Sequence, residues 1–286
     1  MITWLYRVFD RRFLYWDPAM MGRPAVKVMR HLLPRPFGFG GERNLALVVQ
    51  RARPITTIAT VTRGIATADV TSYWGYVYPF YLAEGDDENH LLAGAIDRTE
   101  NLNRRLVRQV EAVVGRALNV EDVGWYVFGV LSAPSFRRRF VVALQEDHPR
   151  IPFPADPTLF EEMRAIGAEL ALAHLGEVGI ASDIRFEGEG NGRVEEVRYD
   201  AEAESVWVNR AQRFTGVPPN AWAWGGSFRP LEHFLTDRRG RRLDADQIGA
   251  FQSAIQAVRA SIRLEPGLDA TMERIAAEPL GMGTGD

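Results

Sequence analysis

The chain has no cysteine, one lysine and five histidines in 286 residues. Without cysteine there can be no disulfide and no thiolate metal site, and a cytoplasmic compartment is the default expectation. His31, His90, His148, His174 and His233 are scattered, with no pair at metal-ligand spacing, so each is read as a surface or capping residue. The lone lysine, Lys27, stands in "AVKVM" with no glycine loop before it, which excludes a P-loop and the ATPase chemistry it serves. No acid flanks Lys27 in the manner of a metal-dependent nuclease, and that activity is not expected either. No apolar run reaches the roughly 18 residues of a membrane span. Charges interrupt the apolar residues of "MITWLYRVFDRRFLYW", so this stretch does not read as a signal peptide.

What is present is an ordinary globular composition, 46% hydrophobic and 25% charged, enough to bury a core in one large domain or two lobes. The net charge of −3 is unevenly spread. Residues 1–63 carry 11 Lys+Arg against 3 Asp+Glu, a balance of +8, whereas 64–150 balance at −3 and 151–286 at −8. A basic first fifth on an acidic body can form one wall of an anion-binding groove, although charge distribution alone favours a solvated surface.

The pattern predicts strands, then helices, then strands and helices again. "ITWLYRVFDRRFLYWDP" reads as two strands broken at Asp10, Arg11 and Arg12. "RPAVKVMRHLLP" reads as a helix begun by Pro24, with Val28, Leu32 and Leu33 inward. "NLALVVQ", "TTIATVT" and "WGYVYPFYL" are β-rich, the first and last apolar enough for burial on both faces. From Thr99 to Leu175 the period becomes helical, with 102, 106, 110, 113 and 114 as one apolar face and Asn119 as a cap. A further helix starts at Pro134 or Ser135, with Arg137, Arg138 and Arg139 on its surface, and a long one ends at Gly176. The proline-rich "DHPRIPFPADP" is expected to be a spacer. A small antiparallel meander, a helix ending at Asp237 and a final amphipathic helix, "DADQIGAFQSAIQAVRASI", complete the chain, and the tail "PLGMGTGD" reads as disordered. The expected fold is α+β: a β-rich lobe (1–98), a helical segment with its proline strap (99–178) and a C-terminal α+β lobe (179–286).

Catalytic motifs fail on inspection. "FGFGG" (37–41) resembles a cofactor glycine loop, but prolines precede it and no helix clearly follows. "GVPPN" (216–220) has the two prolines of an adenine-methylase motif, yet Val217 stands where the base-binding amide belongs. The acid doublets Asp86-Asp87, Glu161-Glu162 and Glu195-Glu196 diverge as neighbours in the chain and do not converge on one substrate. The loop "DRRGRRL" suits phosphate contact, although charge runs are usually only solvated. Trp222 and Trp224 are read as core rather than base-stacking residues.

Several blocks, taken in order, resemble one family. "YRVFDRRFLYWDP" is similar to its Tyr-Arg-Pro-Phe-Asp-x-Arg opening, "YVYPFYL" to a Tyr-x-Phe-Pro-Leu-Tyr-Leu strand, and "WYVFGVLSAPSFRRRF" with "DHPRIPFP" to its helix and proline strap. "GVPPNAW" and "FLTDRRGRRL" resemble its Gly-Val-Pro-Pro-x-x-Trp and Trp-Leu-x-Asp-Arg-x-Gly-Arg blocks. This is the C-terminal specificity (target recognition) region of type ISP single-polypeptide restriction–modification enzymes and related adenine-N6 DNA methyltransferases. Departures are Val8 for the opening proline, Ala133 for histidine and Phe234 for tryptophan.

The resemblance implies a non-catalytic module for phage defence that reads double-stranded DNA. The methyltransferase, helicase and nuclease modules, with S-adenosylmethionine, ATP and Mg, would lie upstream or in separate subunits, and no cofactor is expected in this chain. Arg11, Arg12, Arg63, Arg229, Arg238, Arg239, Arg241 and Arg242 are the expected phosphate contacts. Arg51, Arg53, Thr56, Thr71, Ser72 and Ser227 are the expected base readers. Arg137 and Arg139 would be backbone contacts at most, and Arg138 an internal salt bridge. The alternative is a protein-interaction module that docks on a separate methyltransferase or helicase subunit, to which an acidic C-terminal half is suited.

Overall fold

The structure is a computed structural model that describes residues 2–14, 29, 31–33, 44–50, 59–67, 75–83, 98–146, 149–226 and 228–281. Its first element is a hairpin of β1 (Ile2–Arg7) and β2 (Asp10–Leu14), with β5 (Ile65–Ala66) added parallel to β1. The turn falls on Val8 and Phe9, earlier than the polar residues suggested. Both are buried, and Phe9 has φ 65, so this tip tucks into the protein rather than into water and needs no polar turn residues.

A second sheet has the order β4-β3-β6, built from β4 (Ala59–Thr62), β3 (Ala46–Gln50) and β6 (Gly75–Pro79), all antiparallel. The central strand β3 is buried throughout, as its unbroken apolar run requires. β6 was expected to be buried on both faces, yet it is an edge strand whose Tyr76 is exposed. β7 (Tyr81–Ala83) pairs with β8 (Arg98–Glu100). Leu32 and Leu33 are buried as expected, while most of the predicted helix around them lies outside the described residues.

The helical segment follows the sequence signals closely. α1 (Arg104–Val114) is capped by Asn103 and closed by Gly115, but it buries Val107 and Val110 and leaves Leu106 exposed, a face rotated from the expected one. Asn119 forms a capping box at α2 (Val120–Ser132), and Pro134 opens α3 (Pro134–Arg139), followed by α4 (Val141–Glu146). α5 (Pro157–His174) is capped by Asp156 and followed by Gly176 in the left-handed region. α2 and α5 meet backbone to backbone, since a Cβ on Gly167 would lie 2.0 Å from Trp125 O.

The proline strap proves to be more than a spacer. The Tyr126 ring stacks between Phe153 and Phe160, and its hydroxyl donates to Pro152 O at 2.5 Å. Ala155 N and Leu280 N close a short ladder with Glu278 O and Phe153 O. The strap therefore tethers the end of the last helix.

The meander has the order β10-β11-β12-β9, from β9 (Phe186–Glu187), β10 (Arg198–Asp200), β11 (Ser205–Trp207) and β12 (Arg213–Phe214). Short helices α6 (Pro219–Trp222) and α7 (Pro230–Thr236) precede α8 (Ala245–Ala277), which continues well beyond the expected end. Pro266 interrupts its hydrogen bonding, but burial of Leu268, Met272 and Ile275 on the far side holds the next turns in place.

α8 also joins the two principal cores. One packs α2 and α5 against Leu47 and Val49, and the other packs the meander and α7 against Phe251, Ile255 and Val258. β3 faces both, because Val48 points to the second core while its neighbours point to the first. At the seam His174 is buried between Thr60 Oγ1 and Ser261 Oγ, each at 3.1 Å. Ser261 donates to Ala257 O, so it accepts from His174 Nε2, and in the neutral ring Nδ1 accepts from Thr60. Burial, reinforced by the nearby Arg11 charge, pushes its pKa down to about 3. The expectation of a surface or capping histidine is thus corrected for His174 and for the buried His31.

Candidate nucleic-acid interface

Two arginine-bearing stretches from opposite ends of the sequence meet beside β2. Asp10 opens β2, and its carboxylate, 1% exposed, receives Arg238 through two bonds of 2.7 and 3.0 Å. Arg12 reaches the same carboxylate at 2.7 Å and Asp237 at 3.2 Å. The Arg12 guanidinium lies 3.7 Å from the Tyr6 ring centre, and Arg238 lies 3.8 Å from that of Phe234. Burial lowers the Arg12 pKa, but the Asp10 hydrogen bond and charge outweigh it and leave the group above its usual range. This network fastens the β1–β2 hairpin to the C-terminal end of α7.

The two stretches enclose a cleft of about 400 Å³, lined among others by Arg11, Arg12, Phe13, Arg238, Arg241 and Asp244. Phe13 is 69% exposed at its rim. Arg239, Arg241 and Arg242 are exposed around Gly240, whose φ of 77 makes the sharp turn.

The expected phosphate contacts therefore separate into two groups. Arg239, Arg241 and Arg242 face solvent, and among the described residues no carboxylate lies within ion-pair distance of them. Arg11 is turned inward, donating to Leu175 O and His174 O at the C-terminal end of α5, and burial lowers its pKa. Arg238 is buried on Asp10 and is a structural residue rather than a surface contact. Arg63 makes a two-pronged pair with Glu177, and Arg229 pairs with Glu232. Arg51, Arg53, Thr56, Thr71, Ser72 and Ser227 lie outside the described residues. Gln50 and Ala59, which border 51–58, and Gly75, which follows 68–74, lie at one end of the second sheet, whereas Thr67 donates to Leu5 O of the first.

The Arg triplet behaves differently from its surface appearance in the sequence. Arg138 pairs with Asp269 at 3.2 Å, but its side chain is 68% exposed, so the expected internal salt bridge is a surface one. Arg137 is half-buried beside Glu265, and desolvation lowers its pKa, so it is not a free surface cation. Arg139 remains exposed. Glu161 and Glu162 diverge as expected, the first to Arg116 and Arg164, the second to Arg274. Trp222 is buried and stacked on Tyr199. Among the described residues no group of three acids or histidines is placed to hold a metal, and no helix is long and apolar enough to cross a membrane.

Sequence reasoning missed Asp10 as the hub, and it missed Arg193, which the fold brings opposite Arg242. Both depend on pairing across long stretches of chain, which leaves no local signal. His174 did leave one: with Gly167, Leu170 and Ala171 it completes the i, i+3, i+4, i+7 buried face of α5.

A family model described as the Type ISP C-terminal specificity domain matches residues 1–264. The chain belongs to this family. Among solved structures, the ATP-dependent Type ISP restriction-modification enzyme LlaBIII bound to DNA is similar with a TM-score of 0.73 and 17% identity over 94% of the chain. A nuclease-deletion mutant of the Type ISP enzyme LlaGI, in complex with a DNA substrate mimic, gives 0.65 and 17% over 94%. A DrdV–DNA complex gives 0.68 and 17% over 98%. The chain spans 18%, 24% and 28% of the lengths of these three proteins. No curated protein sequence matches it. The mixed α+β architecture is thus that of a Type ISP specificity domain.

Proposed function

We propose that the chain reads duplex DNA for a restriction–modification enzyme or adenine-N6 DNA methyltransferase, acts in the cytoplasm and performs no catalysis alone. Family membership supports this, and one structural observation carries it to particular residues. Stretches 225 positions apart are locked together by Arg12 and Asp237, and they set the exposed Arg241 beside one open cleft, with Arg239 and Arg242 exposed on the same turn. Surface arginines without acidic partners attract phosphates and position a duplex, whereas base edges supply the sequence information. On this reading Arg51, Arg53, Thr56, Thr71, Ser72 and Ser227 are the base readers, an arginine bidentate to guanine being worth about 1–3 kcal/mol of discrimination. S-adenosylmethionine, ATP and Mg would then be held by the methyltransferase, helicase and nuclease modules, fused upstream or encoded separately.

Titration of the full chain with a labelled duplex at two salt concentrations tests the proposal. Binding should weaken steeply between about 50 and 200 mM salt. Absent binding at low salt, or affinity indifferent to salt, would overturn it.

A second reading, docking on a separate methyltransferase or helicase subunit, is favoured by Val141 and Val142, exposed side by side at the start of α4. It requires that DNA be bound only by the mixture and that Val142→Asp abolish the association.

A further inference from the structure

The turn between α7 and α8 forms half of a two-stranded rib. Val194 N donates to Arg241 O at 2.9 Å, and Leu243 N donates to Gly192 O at 2.9 Å. Arg193 and Arg242 are therefore direct antiparallel partners, flanked by hydrogen bonds rather than joined by them. In that type of pair the side chains stand closest. Val194 and Leu243 point into the second core, so alternation along the rib turns Arg193 and Arg242 outward.

Like charges placed directly opposite one another destabilise a strand pair. Here the fold does nothing to relieve them. Among the described residues no carboxylate lies within ion-pair distance of Arg193, Arg239, Arg241 or Arg242, although Glu195, Glu196, Asp244 and Asp246 are near in sequence. Exposed arginines elsewhere in the protein do find carboxylates, Arg263 with Glu169 and Arg116 with Asp122 and Glu161 among them. The base of the rib is also stiff. Buried Asn209 donates to Arg193 O at 3.0 Å, and buried Gln212 accepts from Gly192 N at 2.8 Å. Gly192 has φ 73, and an added Cβ would lie 3.1 Å from Leu243 O, so the rib crosses here at a point that favours glycine.

Uncompensated guanidinium groups on a rigid base suit an external anion that presents several oxygens in a row. We propose that Arg193, Arg239, Arg241 and Arg242 form a clamp for the phosphodiester backbone of duplex DNA. The clamp rests on the DNA-binding reading above and extends it, because it assigns the grip to a rib that includes Arg193 and excludes Arg11, Arg63, Arg229 and Arg238. Such contacts position the duplex without reading its bases.

The test is fluorescence anisotropy of the full chain with a labelled DNA duplex across a salt series. The variant Arg193→Gln/Arg239→Gln/Arg241→Gln/Arg242→Gln should melt like the parent, and its log Kobs against log salt should flatten by about 3–4 units, at roughly 0.9 per lost phosphate contact. The corresponding lysine variant, which keeps the four charges, should recover most of that slope. Arg263→Gln should leave it unchanged. A folded glutamine variant with the parental slope overturns the clamp while leaving DNA binding intact, as does a lysine variant as flat as the glutamine one. A parent chain that binds no duplex at low salt overturns both readings.

Discussion

Arg238 and Arg241 differ by three positions and have opposite roles, and the difference lies in Asp10. A buried carboxylate with two guanidinium partners is stable only as a set, because removing it leaves a charge in a low-dielectric site. Asp10→Ala should therefore destabilise the fold by about 3–5 kcal/mol in urea denaturation, and adding Arg238→Met should restore part of that loss. His174 makes a second residue-scale prediction. Its pKa falls from 6.5 in the unfolded chain to about 3 in the folded one, so the unfolded state binds the extra proton between those values. The stability it contributes is complete above pH 6.5 and is lost as pH falls through that window, at about 1.4 kcal/mol per unit. Carboxylates held below their usual range, such as Glu177 beside Arg63, add their own loss at the acid end. The difference between parent and His174→Gln isolates the histidine. Unfolding free energies measured from pH 4 to 7 should show a shallower slope for the variant.

At the scale of elements, the close approach of α2 and α5 depends on hydrogen in place of a side chain. A methyl group at 167 would press on Trp125 O from 2.0 Å, and backbone cannot swing aside as a side chain can. Gly167→Ala should destabilise the fold by about 1–3 kcal/mol, read as a lower denaturation midpoint with the m-value unchanged. Caps and prolines made most helix starts legible: Asn119, Pro134 and Asp156 act locally, and a local signal survives in the sequence. Faces were harder to read. α1 turns Leu106 to solvent and buries Val107 and Val110; both faces carry apolar residues at helical spacing, and packing against the core decides which one is covered. The same is true of α8 beyond Pro266, where packing rather than propensity extends the helix.

At the scale of the molecule, α8 threads both main cores, with Phe251 in one and Leu268 in the other. Damage to either core should be felt along the whole helix. Phe251→Ala and Leu268→Ala should cost about 2–5 kcal/mol each. Amide exchange should show lost protection in both halves of α8 for either variant, and protection lost in one half only would mean that the cores unfold independently. The Thr60–His174–Ser261 seam lies between the cores, so the two halves are held in register by hydrogen bonds as well as by apolar packing.

By itself the sequence determined the succession of strands and helices, most of the helix caps, the lack of familiar catalytic motifs and the resemblance to a specificity domain. These depend on neighbours a few positions apart, or on the order of blocks along the chain. It also placed arginines at both ends of the protein, but charge in a sequence has no direction. Only the tertiary structure decided that Arg238 is bound inside on Asp10 while Arg242 stands outside beside Arg193. A guanidinium's role depends on which carboxylates come within about 4 Å, and those partners lie as far as 228 positions away.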